Sequence, residues 1–258
     1  MLKISIPIII LLALFFPSRA AELAESNRVV LAMPQQFDKI VTNGNLTVEV
    51  IFRSDYKGYV VYNTEDTVAP RVHCVVDENR TLHLSGNVES NSVKSRVVVL
   101  ACDSVVSVVN NEAGTILIKQ IPRVEDFCAV SNGTGAIKCE ELGAHHLMLM
   151  SSGSASMTIG TAKARFIDIY GNGDGEISLG AMLCHGARIL NNADGSIAVK
   201  GLKSRRGEIL DNAGGRISVS GKASAFAVVN YSTGTIDISG FRCKKLSEAN
   251  YGSGLIIK

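Results

Sequence analysis

The 258-residue chain has no Trp, and aromatic residues make up only 5% of it. A composition short of large rings but rich in Gly, Ser, Val and Ile argues against a helical protein. It suits many short strands joined by tight turns. Charge of one sign is also missing. The 26 Lys and Arg against 24 Asp and Glu leave a net charge of +2, so nothing demands a nucleic-acid partner, and the length fits one or two domains. Beyond the first twenty residues there is no further long hydrophobic run, and hence no transmembrane helix in the mature chain.

Residues 1–20 read as an export signal. Lys3 supplies the positive start, Ile4 to Phe16 the apolar segment, and Ser18-Arg19-Ala20 a small-residue cleavage site before Ala21. The apolar segment is too short to span a bilayer core of about 30 Å as a helix. No Cys follows the cleavage point to carry a lipid. An exported location is expected, whether periplasmic, outer-surface or secreted. Residues 21–36 read as a polar, unpatterned leader.

From Phe37 the residues alternate with period two, and the helical period is absent. Leu46 to Val50, Tyr59 to Tyr62, Val72 to Val76, Thr81 to Leu84 and Arg96 to Leu100 read as short strands between turns rich in Asp, Asn and Gly. Residues 37–104 thus form a less regular first part, and 105–258 a regular second part of a single domain, 37–258.

The second part is a repeat. An anchor position holds Gly114, Gly135, Ala155, Gly175, Gly195, Gly215, Gly234 and Gly254, spaced 21, 20, 20, 20, 20, 19 and 20 residues apart. Two residues later stand Ile116, Ile137, Met157, Ile177, Ile197, Ile217, Ile236 and Ile256, and the alternation around them buries one face. Eight and six residues before the anchor lies a second apolar pair, such as Ile167 and Ile169. Seven residues after it comes a third apolar column, broken by Lys222. Nine after it is a small column of Ala144, Ala164, Cys184, Ser204, Ser224 and Cys243. Each unit is therefore a three-sided coil. One coil alone cannot offset the entropy of ordering its backbone, so coils must stack. The fold class expected is all-β, a right-handed parallel β-helix (β-solenoid) of ~20-residue coils. Asn columns two positions deep, including Asn172, Asn192 and Asn212, read as stacked amide ladders with no catalytic role, and the Gly anchors are expected at positive φ.

With these repeats in place the chain resembles the head GIN domain family of putative auto-transporter adhesins. The likeness is carried by Phe37-Asp38-Lys39-Ile40, by Leu46-Thr47-Val48-Glu49-Val50, and by Gly/Asn-containing units ending in Ile at 131–137, 171–177, 191–197, 211–217 and 230–236. It implies an exported β-helix at the bacterial cell envelope or surface with an adhesive role and no established activity. No transporter barrel follows the repeats before Lys258, so self-export is not expected. Where the family commonly uses Ser-Gly-Ser-Gly turns, this chain often uses Asn.

Two sets of side chains are candidates for binding. Ten or eleven residues after the anchors lie basic side chains: His145, His146, Arg165, His185, Arg205, Arg206, Lys244 and Lys245, with Lys163, Lys203 and Arg242 nearby. Stacked at 4.8 Å per coil they would form a ridge about 24 Å long, suited to an acidic polysaccharide, lipopolysaccharide phosphates or another anionic polymer. The competing account is a solvated corner whose charges serve solubility. The second set is Asp174, Glu176 and Asp194, carboxylates about 5 Å apart that fit glycoside hydrolysis or calcium. The nine-residue calcium repeat is absent, and a plain acidic turn explains them with less. Asp168, Arg188 and Glu208 read as a salt-bridge ladder.

The six Cys do not form a framework. Cys139, Cys184 and Cys243 fall in inward columns as buried thiols, and Cys74 with Cys102 is the one pair left open. His spacing does not suit zinc, and no catalytic residue, metal or cofactor is assigned. The expected function is an adhesion or interaction module that binds glycans or envelope components. The alternatives are a polysaccharide hydrolase or lyase on the acidic set, and a structural envelope protein without glycan binding. Pairing between the helix ends of two copies stays open.

Overall fold

The computed structural model describes residues 28–33, 35–52, 58–63, 72–86, 96–101 and 105–258. Residues 1–20, read above as an export signal, and Cys102 lie outside these residues. The strands are β1 (Arg28–Ala32), β2 (Lys39–Gly44), β3 (Thr47–Phe52), β4 (Tyr59–Asn63), β5 (His73–Val76), β6 (Thr81–Gly86), β7 (Arg96–Ala101) and β8 (Ser107–Asn110) in the first part. They continue as β9 (Thr115–Ser131), β10 (Ala136–Ser151), β11 (Ser156–Lys163), β12 (Phe166–Gly171), β13 (Glu176–Leu183), β14 (Gly186–Asn191), β15 (Ser196–Asp211), β16 (Arg216–Asn230), β17 (Thr235–Asp237), β18 (Phe241–Asn250) and β19 (Leu255–Ile257). All pair into one continuous sheet wound as a parallel β-solenoid of stacked coils.

Period and register agree throughout the regular part. Ile137 pairs with Ile116 and Met157, Ile177 with Met157 and Ile197, and Ile217 with Ile197 and Ile236. Within the coil 177–191 the buried residues are 177 and 179, then 182, 184 and 186, then 187, 189 and 191. The strict alternation slips after 179 and again between 186 and 187, and each slip is a corner. Three sides follow from these two corners and the anchor turn. The apolar columns merge into one core from Phe37 to Phe241.

Near the start, spatial order departs from chain order. β2 lies between β6 and β8, and β3 between β7 and β9. The chain lays down a first coil, adds the next strands on its outer flank, and then crosses to the inner flank to continue the solenoid. β4 runs antiparallel on β7, β5 antiparallel on β6, and β1 antiparallel on β4. Part of the segment read as a leader is therefore a strand: Arg28–Ala32 caps the first coils. Its non-alternating sequence hid this, because its partner is an antiparallel edge rather than a stacked coil. At the other end, Lys258 Nζ lies 2.6 Å from Glu248 Oε2. This ion pair ties residue 258 to β18, with the Lys258 side chain largely exposed and that of Glu248 mostly covered.

The Asn ladder forms as expected. Asn132 Nδ2 donates to Asn111 Oδ1 at 3.0 Å, Asn192 Nδ2 to Asn172 Oδ1 at 2.8 Å, and Asn212 Nδ2 to Asn192 Oδ1 at 2.9 Å. One position earlier a fully buried column caps the anchor carbonyls: Asn110 Nδ2 donates to the Gly114 carbonyl and Asn230 Nδ2 to the Gly234 carbonyl.

The anchor glycines need correction. None of them has positive φ; among the described glycines that conformation belongs to Gly44, Gly58, Gly201 and Gly221. Seven of the eight anchors are glycine where coils approach too closely for most side chains, and Ala155 is the one anchor that holds a Cβ. A Cβ on Gly175 would sit 1.9 Å from the Ala155 carbonyl oxygen, and one on Gly215 would sit 2.1 Å from that of Gly195. The positive φ is used instead at the corner: Gly201 (φ 132°) stands at the register shift between Lys200 and Leu202, and Gly221 (φ 129°) pairs with Leu202. The shortened coil thus loses its residue at that corner. Gly221, not Lys222, occupies the third apolar column, and Ala223, not Ser224, the small one.

Two outcomes test this account. Gly175→Val inserts a side chain against backbone and should lower stability by about 1–3 kcal/mol, read as a lower urea midpoint. Asp211 holds the Asn column position, is fully buried, and accepts from Asn191 Nδ2 at 3.0 Å. Burial raises its carboxyl pKa above the ordinary value. An acid raised in the folded state stabilises below its unfolded pKa, and that support is lost as pH rises through the folded pKa. Asp211→Asn removes the buried charge and restores a donor for the Gly215 carbonyl. It should raise Tm at neutral pH by about 2–4 °C, the equivalent of about 1 kcal/mol, and the gain should shrink in acid.

Candidate functional site: a cationic trough on the short side

The short side of the solenoid is a run of triplets in which the middle residue turns inward and the outer two turn out. Along the stack these are 123–125, 143–145, 163–165, 183–185, 203–205, 222–224 and 242–244, held in register by β-pairing. Main-chain bonds extend the register past the corner: His185 N donates to the Arg165 carbonyl and Arg205 N to that of His185, at 3.0 and 3.2 Å. The middle column is Ala144, Ala164, Cys184, Ser204, Ala223 and Cys243. Because those residues are small, the side is concave, and a trough of 1720 Å³ runs along it.

One rim carries Arg123, Lys163, Leu183, Lys203, Lys222 and Arg242, and the other His145, Arg165, His185, Arg205, Ser224 and Lys244. Glu141 is the sole carboxylate among the residues lining the trough. The Lys and Arg side chains of the rims and His185 are exposed, and His145 is half-buried. Two contacts organise the start of the second rim. Arg165 Nη1 lies 3.4 Å from His145 Nε2, whose Nδ1 is 3.2 Å from Glu125 Oε1. The Arg165 guanidinium also sits 5.6 Å from the centre of the Phe166 ring, a cation–π distance.

The basic residues singled out in the sequence separate into two groups. Lys163, Arg165, His185, Lys203, Arg205 and Lys244 line the trough. Arg206 and Lys245 are one residue further on, beside Gly186 and Ala225 in the next column, and do not line it. A ridge was expected; the structure has two rims and a floor. Arg123 and Lys222 are lining residues that the sequence reading missed. The repeated basic–small–basic tripeptide, as in Lys163-Ala164-Arg165 and Lys203-Ser204-Arg205, signals the paired rims, but Arg123-Val124-Glu125 and Lys222-Ala223-Ser224 do not carry it.

Asp174, Glu176 and Asp194 stand exposed on the anchor turn, away from the trough. Asp194 Oδ1 accepts from the Gly214 amide at 3.0 Å, a turn-bracing contact. Among the described residues no group of three or more His, Cys, Asp or Glu is placed to hold a metal ion. The expected ladder of three is only a pair. Arg188 Nε bonds Glu208 Oε1 at 2.6 Å, while Asp168 Oδ2 lies 2.8 Å from His146 Nε2. The Glu208 contact raises the Arg188 pKa above its ordinary value.

Burial pushes the thiol pKa up to about 12 at Cys139 and to about 11 at Cys184 and Cys74. Cys74 is a free thiol, and its candidate partner Cys102 lies outside the described residues. Cys243 is not buried as expected; it is half-exposed on the trough floor in β18, which among the described residues pairs on one side only, with β16. Thiolate is the reacting form, so a disulfide-exchange reagent at pH 8 should label Cys243 well before Cys139 or Cys184, as peptide mapping would show.

Fold and site together define a parallel β-solenoid with a cationic trough along one side. The chain belongs to the family described as Putative auto-transporter adhesin, head GIN domain, which matches residues 36–210. Among solved structures it is similar to a putative adhesin from Bacteroides fragilis, with 16% identity, a TM-score of 0.65, and coverage of 90% of this chain and 95% of that one. A putative adhesin from Parabacteroides distasonis gives 16%, 0.70, and 89% and 94%. One from Parabacteroides merdae gives 13%, 0.70, and 90% and 96%. At these identities the likeness establishes the fold alone. No curated protein matches the chain. Among the described residues no helix is long and apolar enough to cross a membrane.

Proposed function

We propose that this protein is an exported, surface-associated adhesion module, not an enzyme, and that its trough binds an anionic glycan of the cell envelope or surroundings. The observation that carries the reading is the concentration of Lys, Arg and His on two facing rims, with Glu141 the sole carboxylate lining the trough and Glu125 beside His145 at its first triplet. Isolated surface charges kept for solubility would be interspersed with the opposite sign. A concave, one-signed surface focuses the field and raises the local concentration of polyanions. The export-type leading segment and the adhesin names carried by the family and its structural neighbours support the location and the class of role.

The enzyme reading has less support. Asp174, Glu176 and Asp194 are exposed, outside the trough, and one of them is engaged in bracing a turn. A turnover assay on acidic polysaccharides, with and without calcium, separates the two readings. For binding, the triple reversal Arg165→Glu, Arg205→Glu and Lys244→Glu should weaken retention on immobilised heparin by about a hundredfold, with Tm unchanged. Wild-type binding should also fall steeply as salt rises. Binding indifferent to both the reversal and salt would defeat the proposal.

A further inference from the structure

The charge of the trough is uneven along its length, and the unevenness is periodic. Three coils carry a cation on both rims: Lys163 with Arg165, Lys203 with Arg205, and Arg242 with Lys244. The coils between them do not. One holds Leu183 with His185, the other Lys222 with Ser224, and Gly143 with His145 precedes the series. Doubly cationic stations therefore recur at every second coil, about 9.6 Å apart at 4.8 Å per coil. Leu183 is 52% exposed although apolar, and stands on its rim between Lys163 and Lys203.

We propose that the trough is built for a linear acidic glycan with an alternating disaccharide repeat, one charged sugar and one neutral, lying along the solenoid axis. This rests on the anionic-glycan reading above and specifies its ligand class. An extended glycan advances by roughly one strand spacing per sugar, so two sugars match two coils. The charged sugar sits between paired cations, which come from residues i and i+2 of one coil, about 6.6 Å apart along the strand. The neutral sugar lays its C–H face on Leu183, where it covers apolar surface that otherwise faces water. A carboxylate placed there would meet an apolar side chain and would give up hydration without a Lys or Arg in the same triplet.

The test is calorimetric titration of the protein with size-defined oligosaccharides. The probes are glucuronate–N-acetylglucosamine oligomers of two, four and six sugars, a hexagalacturonate, and a neutral N-acetylglucosamine hexamer. Affinity for the alternating series should rise to the hexamer, which reaches the three stations. That hexamer should bind roughly tenfold tighter than hexagalacturonate, and the neutral hexamer should not bind. Replacing Lys203 and Arg205 by Ala should cost the alternating hexamer roughly tenfold, and Lys222→Ala less than about twofold. Leu183→Lys, at an exposed site, should close or reverse the gap between the two charged hexamers. Equal affinity of those hexamers, or an equal cost for Lys222→Ala, overturns the alternation and leaves the anionic-glycan reading standing. Failure of every acidic oligomer to bind overturns both.

Discussion

The structure depends on one constraint, the close parallel contact between successive coils at the anchor turn. There the backbone of one coil lies so near the carbonyl of the last that a Cβ would overlap it, at 1.9 Å for Gly135 against Gly114 and 2.0 Å for Gly254 against Gly234. That contact fixes the axial spacing and the register. With the register fixed, like residues lie over like: Ile over Ile in the core, and Asn over Asn on the turn. A twenty-residue period in sequence becomes a straight column in space. Each coil supplies the hydrogen-bonding partners and the apolar cover that its neighbour needs.

The trough is a by-product of the same columns. On the short side the inward residue is small, so the wall approaches the axis there and the outward residues on either side become rims. Arg165 and Arg205, forty residues apart in sequence, share one rim because they stand two coil steps apart in the same column, with His185 between them. The floor needs no special loop, only a small residue at one position of every coil. Variation is then free on the rims, where a side chain touches solvent rather than core. Leu183 among lysines is visible because its column neighbours are so consistent.

Much of this was legible in the chain. The period, the inward columns, the Asn ladder and the three sides could be read directly, because in a solenoid local sequence distance maps onto spatial position by one rule. The reading failed where that rule fails. Arg28–Ala32 pairs outside the stacked order, so no period announces it, and for β4 and β5 the strands were legible but their antiparallel pairing was not. The nineteen-residue coil shifted its columns by one because the missing residue is lost at Gly221, and counting from the anchor could not locate it. Cys243 looked buried by its column, yet among the described residues its strand pairs on one side only.

By itself, then, the sequence determined the fold class, the core columns and the band of positive charge, since each follows from periodicity and side-chain alternation. The tertiary structure decided the rest. It showed that glycine at the anchors answers to contact between coils and not to backbone handedness, a distinction that depends on distances between residues twenty apart. It also turned a basic ridge into a trough: whether neighbouring outward residues form a crest or two rims depends on the curvature of the wall beneath them, and curvature exists only once coils are stacked. Arg206 and Lys245, basic and adjacent to rim residues in sequence, lie outside the trough because one further residue carries the chain past the corner.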